Sequence, residues 1–231
     1  MKTQSPRSST RLTSTSIVGG SRAVLRKARQ SQFDLALWER SLPEPVAAFL
    51  DLLITDRDSV ALDITAAPGR SLRASLAKHP LFSGAVRDDA RHWVQEDFET
   101  LAIEFADILD CPKVRLRFNR IADDACAAFH VDTLPARLLC TYAGAGTQWA
   151  DGQDVCRGEL GLQGRTVTVA NAAIVPNPDR IRTMPTGAVA LFKGRLWPGG
   201  ETRGLVHRSH PVCCDEHARL LLVIDPAGHA Y

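Results

Sequence analysis

The chain carries one spacing that could do chemistry with few parts. In Phe129-His130-Val131-Asp132, an imidazole and a carboxylate stand two residues apart. On a strand, side chains two apart leave the same face, so both can reach one metal ion. A third ligand must come from a distant strand. His207 suits that role because it ends the apolar run Gly204-Leu205-Val206 and precedes Arg208-Ser209. Two imidazoles and one carboxylate occupy one face of an octahedral ion such as ferrous iron, leaving positions open for a chelating 2-oxo acid and O₂. Arg219 opens the run Leu220-Leu221-Leu222-Val223-Ile224. A cation facing inward from a strand is costly unless it meets an anion, and a guanidinium holds a carboxylate in two parallel hydrogen bonds. Thr141 and Tyr142 lie at the end of another strand-like run and could add hydroxyl donors to the same acid.

A second ligand set overlaps the first. His207, His210, Cys213, Cys214 and His217 form a dense run of zinc-type donors. A zinc-binding or metal-homeostasis role is therefore the alternative, although adjacent cysteines without a second paired knuckle are unusual for a structural zinc site. His210 also rivals His207 as the distal iron ligand, but Pro211 directly after it suggests that a turn has begun. A third possibility is a barrel module that binds a small acid without turnover. Arg120 and Arg137 are further candidate anion binders, and Thr147, Trp149 and Trp197 could line the substrate side. No Gly-x-Ser-x-Gly elbow is present for a serine hydrolase.

These residues need a scaffold. Pro45 to Leu53 has helical spacing, with prolines suited to a helix start. Ser59 to Ile64 alternates like a strand. In the stretch 87–109, Val94, Phe98, Leu101, Phe105 and Ile108 step by three and four, predicting an amphipathic helix ended by Cys111-Pro112. Val114-Arg115-Leu116-Arg117-Phe118 alternates with period two. Short strand-like runs then recur at 136–142, 166–169, 188–192, 205–208 and 220–224, separated by Gly, Pro, Asn and Asp. This texture predicts an α+β chain: a basic disordered tail over 1–30, a helical region over 31–111, and a β-barrel-like metal-binding region over 112–231.

Composition narrows the classes. The 231 residues have 45% hydrophobic and 23% charged side chains and a formal charge of +2. Residues 1–33 hold seven Lys and Arg and no acid, so the remainder, +2 less those seven, is −5. The basic share belongs to the tail, which has no interleaved aromatics, so nucleic-acid binding is not expected. No apolar run reaches membrane-spanning length. The N-terminus lacks the apolar segment of a secretory signal. Six cysteines without a disulfide-like spacing predict a cytoplasmic setting. The primary substrate and the oligomeric state are not written in the sequence.

About residues 112–227 resemble the double-stranded β-helix, a jelly-roll or cupin-like barrel, of iron- and 2-oxoglutarate-dependent dioxygenases. The resemblance rests on Phe129-His130-Val131-Asp132, on Pro185 to Phe192, on Val206-His207-Arg208-Ser209 and on Arg219-Leu220-Leu221-Leu222. The whole chain is also similar to an uncharacterised bacterial family that carries Arg117-Phe118-Asn119-Arg120 ahead of the His-x-Asp pair. The dioxygenase resemblance implies that His130, Asp132 and His207 carry Fe(II), that Arg219 takes the far carboxylate of 2-oxoglutarate, and that the protein is a hydroxylase-type oxygenase. Arg219 lies twelve residues after His207, slightly far for that pattern, and a longer turn over 213–217 would absorb the difference.

Overall fold

The fold is given by a computed structural model that describes residues 15–55, 61–83, 88–123, 126–200, 202–211 and 218–227. Ten strands and four α-helices are found among them. In chain order they are β1 (Ser16–Gly19), β2 (Leu35–Trp38), α1 (Glu44–Leu53), β3 (Ala61–Ala66), α2 (Arg70–Leu76), α3 (Asp89–Leu109), β4 (Lys113–Ile121), β5 (Ala136–Ala143), β6 (Gln148–Ala150), α4 (Val167–Ile174), β7 (Arg182–Thr183), β8 (Val189–Lys193), β9 (Val206–Arg208) and β10 (Arg219–Ala227).

The strongest local signal folds as its pattern demands. Asp88 caps α3 by accepting from the backbone amides of Ala90 and Arg91, and Asp110 ends the helix in the left-handed conformation. Val94, Phe98, Leu101, Phe105 and Ile108 are buried against the main sheet. That sheet has seven strands in the order β1-β2-β8-β5-β10-β4-β3. Its long central pair is β4 and β10, antiparallel from Lys113↔Ala227 to Ile121↔Arg219. Val114, Leu116 and Phe118 of β4, with Leu220, Leu222 and Ile224 of β10, point toward the helices. The alternate residues point the other way. There Leu35, Leu37, Leu139, Ala190, Phe192 and Leu221 pack against Trp149, Met184 and Leu205, on and beside a small sheet of order β7-β6-β9. The molecule is thus three layers: helices, large sheet, small sheet.

This architecture corrects the expected one. A double-stranded β-helix barrel was expected after a helical N-terminal region; the described strands instead form two open sheets, neither closed nor curled into a barrel. The physical reason lies in the N-terminal third. β2 pairs with β8 and β3 pairs with β4, so the large sheet grows outward at both edges rather than curling onto the small one. The small sheet has only two or three residues per strand, too few to close a ring. Residues 31–111 therefore supply strands as well as helices. Of the expected tail, residues 1–14 lie outside the described residues, whereas Ser16–Gly19 forms β1 and Arg22–Arg29 forms a short 3₁₀ helix that buries Leu25 and Ala28.

One element changes type. Residues 166–169 alternate as a strand would, yet Thr166 accepts from the Val169 amide and starts α4. The following Ala170-Asn171-Ala172-Ala173 continues the helix, and alanine has the strongest helical preference. No helix among the described residues is long and apolar enough to cross a membrane.

Candidate metal centre

The large and small sheets meet where three potential ligands converge. His207 sits in the middle of β9. His130 lies opposite it in an isolated antiparallel bridge, each backbone amide donating to the other's carbonyl at 3.0 Å. Asp132, two residues on, turns back toward both rings. His130 Nε2 lies 3.4 Å from Asp132 Oδ1, and His207 Nε2 lies 3.6 Å from Oδ2. One ligand atom from each of the three residues lies within 4.8 Å of the others. Among the described residues this is the one His/Cys/Asp/Glu group with such spacing.

The rings are oriented for coordination. His130 Nδ1 faces the Ala128 carbonyl at 2.9 Å, and His207 Nδ1 faces the Leu205 carbonyl at 3.1 Å. A carbonyl only accepts, so each Nδ1 carries a proton and each Nε2 points to the centre. Asp132 is fixed from behind: Arg137 Nη1 donates to its Oδ2 at 2.8 Å. Arg137 is itself held by both oxygens of Asp225, which also pairs with Arg117.

Electrostatics leave Asp132 and His207 in the state a metal requires. Burial pushes the Asp132 carboxyl upward, but the hydrogen bond from His130 and the positive charge around it win and hold it at about 2. Burial pulls His207 down to about 4, only partly offset by Asp132. Burial also opposes charge on His130, yet its hydrogen bonds to Asp132 and to the Ala128 carbonyl raise it above the ordinary value. At neutral pH, then, an ionised carboxylate faces a neutral buried imidazole, and metal ligation needs deprotonated donors of this kind.

A cleft of about 320 Å³ opens beside the trio, lined among others by His130, His207, Arg137, Thr147, Ser209 and Arg219. Arg219 is buried. Its Nη2 donates to Ser209 Oγ at 2.7 Å, its Nη1 reaches Thr147 Oγ1 at 3.4 Å, and its Nε has no partner. Burial lowers its affinity for a proton. Among the described residues its hydrogen bonds go to hydroxyls, with the Asp123 carboxylate lining the same cleft, so the guanidinium can still take an incoming anion. Gly144 lets this happen. At φ +79° it brings the β5–β6 turn so close to the start of β10 that a Cβ there would meet the Ala218 carbonyl at 2.4 Å.

His130, Asp132 and His207 come together, and Arg219 lines the adjoining cleft. Tyr142 does not: it faces the helical core, where its hydroxyl donates to Asp97 and its ring packs on Phe98 and Phe118. Thr141 lies on the cleft side of β5, yet it is not among the residues lining the cleft. Thr147 lines the cleft, Trp149 is buried between the sheets, and Trp197 stacks under Lys193 elsewhere. His210 is outside the trio, and Cys213, Cys214 and His217 lie outside the described residues. Sequence reasoning passed over Ser209 and Asp225. Ser209 stands two residues after His207, so the period that joined His130 to Asp132 could have found it.

A search of curated proteins gave no match. Among solved structures, a Pseudomonas putida prolyl-4-hydroxylase aligns at 10% identity and TM-score 0.42, covering 90% of this chain and 98% of that one. A dioxygenase for auxin oxidation from Arabidopsis thaliana, in complex with 2-oxoglutarate, aligns at 11% identity and TM-score 0.46, covering 94% of each. Likeness this distant transfers no activity, and the site must be judged on its own geometry. One family model matches residues 19–225, nearly the whole described chain, and its description is a protein of unknown function, DUF1826; the chain belongs to that family.

Proposed function

We propose that the protein is an Fe(II)- and 2-oxoglutarate-dependent oxygenase of the hydroxylase type. The observation that carries this reading is the convergence of His130, Asp132 and His207 within 4.8 Å beside a cleft that also holds the buried Arg219. The donor set fits ferrous iron, since two imidazoles and one carboxylate leave adjacent positions open. The chemistry supplied when iron and the 2-oxo acid are bound is oxidation of a substrate C–H bond by O₂, coupled to oxidative decarboxylation of the acid. His130 and His207 offer Nε2 and Asp132 offers a carboxylate oxygen. Arg137 aims Asp132 by its hydrogen bond to Oδ2. Arg219, with Ser209 and Thr147, takes the far carboxylate of the dicarboxylic acid. Leu139, Leu221 and Phe192 on the same face of the large sheet keep water out, which strengthens the ionic contacts. The four free cysteines among the described residues support a cytoplasmic setting.

Anaerobic equilibrium dialysis with Fe(II) and 2-oxoglutarate tests the assignment. Asp132→Ala should lose iron while staying folded, and Arg219→Gln should keep iron while losing most affinity for the acid. Full iron occupancy in Asp132→Ala, or equal loss of both ligands in Arg219→Gln, would overturn it.

A further inference from the structure

A second hollow, of about 390 Å³, adjoins the cleft, and Arg208 lines both. Its walls are apolar: Val167 and Ala172 of α4, then Val175, Pro176, Pro178 and Ile181. The two prolines and the helix make this wall rigid before anything binds. Asn171 also lines it, but both ends of its amide are used, with Oδ1 accepting from the Phe129 amide and Nδ2 donating to the Ala127 carbonyl.

Arg208 is the charged side chain of this hollow. It is half-buried, and its guanidinium is fixed twice. Its Cζ lies 4.5 Å from the centre of the Phe129 ring, and its Nε donates to Gln148 Oε1 at 2.8 Å. Among the described residues it makes no ion pair, unlike Arg137, Arg117, Arg40 or Arg203, each of which meets a carboxylate. Its terminal nitrogens are left for a ligand, and a fixed guanidinium recognises a carboxylate by paired charge-assisted bonds.

We propose that Arg208 and the groove along α4 form a binding site for a small organic acid: a carboxylate seated on Arg208 with an apolar body lying against Val175, Pro176 and Ile181. A volume of this order holds a compact small molecule. That this acid is the oxidised substrate rests on the oxygenase reading, since the groove meets the metal cleft at Arg208; the binding site itself does not.

Saturation-transfer NMR with 4-phenylbutyrate and its uncharged partner 4-phenylbutyramide, on the full chain, tests the site without iron. The acid should bind roughly tenfold or more tightly than the amide, the worth of a charge-assisted contact. Arg208→Gln should abolish that preference, Arg208→Lys should keep part of it, and Ala172→Trp, which fills the groove, should weaken both probes. Arg219→Gln should leave the preference intact. Equal binding of acid and amide, no binding of either, or loss of the preference in Arg219→Gln instead of Arg208→Gln would overturn the proposal. Failure of iron binding with the acid preference retained would remove the oxygenase reading and leave the groove standing.

Discussion

Gly194→Ala should loosen the metal centre from a position that touches no metal ligand side chain. Gly194 follows β8 and locks against the segment that carries Asp132. Its amide donates to the Pro135 carbonyl at 2.9 Å, and the next amide, from Arg195, donates to the Asp132 carbonyl at 2.9 Å. A Cβ on Gly194 would lie 2.1 Å from the Leu134 carbonyl oxygen and 2.6 Å from that of Asp132. Ordinary carbon–oxygen contact is about 3.3 Å, so the two carbonyls must retreat by roughly 1.2 and 0.7 Å. Both obstacles are backbone, so no flexible side chain can yield instead. Overpacking of this kind costs about 1–3 kcal/mol, which lowers Tm by roughly 2–12 °C in a chain of this size. A shift near 0.7 Å also exceeds the roughly 0.5 Å within which site residues must be held. Fe(II) affinity should then fall about 10- to 100-fold, as when an outer partner of a metal ligand is lost. Calorimetry and anaerobic Fe(II) titration read the two effects. Gly158→Ala is the control, because nothing lies within 4 Å of its Cβ position. A Gly194→Ala protein with the Tm and iron affinity of the Gly158→Ala control would refute the reasoning.

Two further outcomes follow from the buried polar groups. Tyr142→Phe removes a hydroxyl that donates to the buried Asp97, so stability should drop by about 2 kcal/mol while 2-oxoglutarate affinity stays unchanged; weaker acid binding in the variant would return Tyr142 to the cofactor site. Burial holds Lys193 at about 8 against an ordinary 10.5, so the unfolded chain binds more protons across that window and this group makes stability climb as pH rises through it. Lys193→Met should lack that climb, so the Tm advantage of wild type should grow with pH between those values; a constant difference would contradict the assignment.

The parts legible in the sequence are those where one local pattern decides the outcome. The three-and-four spacing from Val94 to Ile108 and the alternation from Val114 to Phe118 each fix a buried face without help from elsewhere. The convergence of His130, Asp132 and His207 was also legible, since the two-residue spacing keeps the first two side by side and the apolar run before His207 marks a strand, although His130 forms only an isolated bridge and not the strand expected there. What escaped depends on partners far along the chain. β1 and β2 are four residues each and gain meaning only when β2 joins β8 and β1 joins β2, so nothing local announces that the large sheet extends outward instead of closing. Thr141 and Tyr142 were both read as cofactor donors, but adjacent strand residues face opposite ways, and only the sheet's placement under α3 decides which faces the core. The alternation at 166–169 was outweighed by a capping threonine and the alanines after it.

The central claim is that His130, Asp132 and His207 hold iron beside an acid anchored at Arg219. Anaerobic titration of the purified protein with Fe(II), then 2-oxoglutarate, followed by visible absorbance, tests it most directly. A weak charge-transfer band should appear only when both are present, saturate at one iron per chain, and be absent in Asp132→Ala. A band that persists in Asp132→Ala, or no band at all in a wild-type protein that binds zinc tightly, would contradict the account.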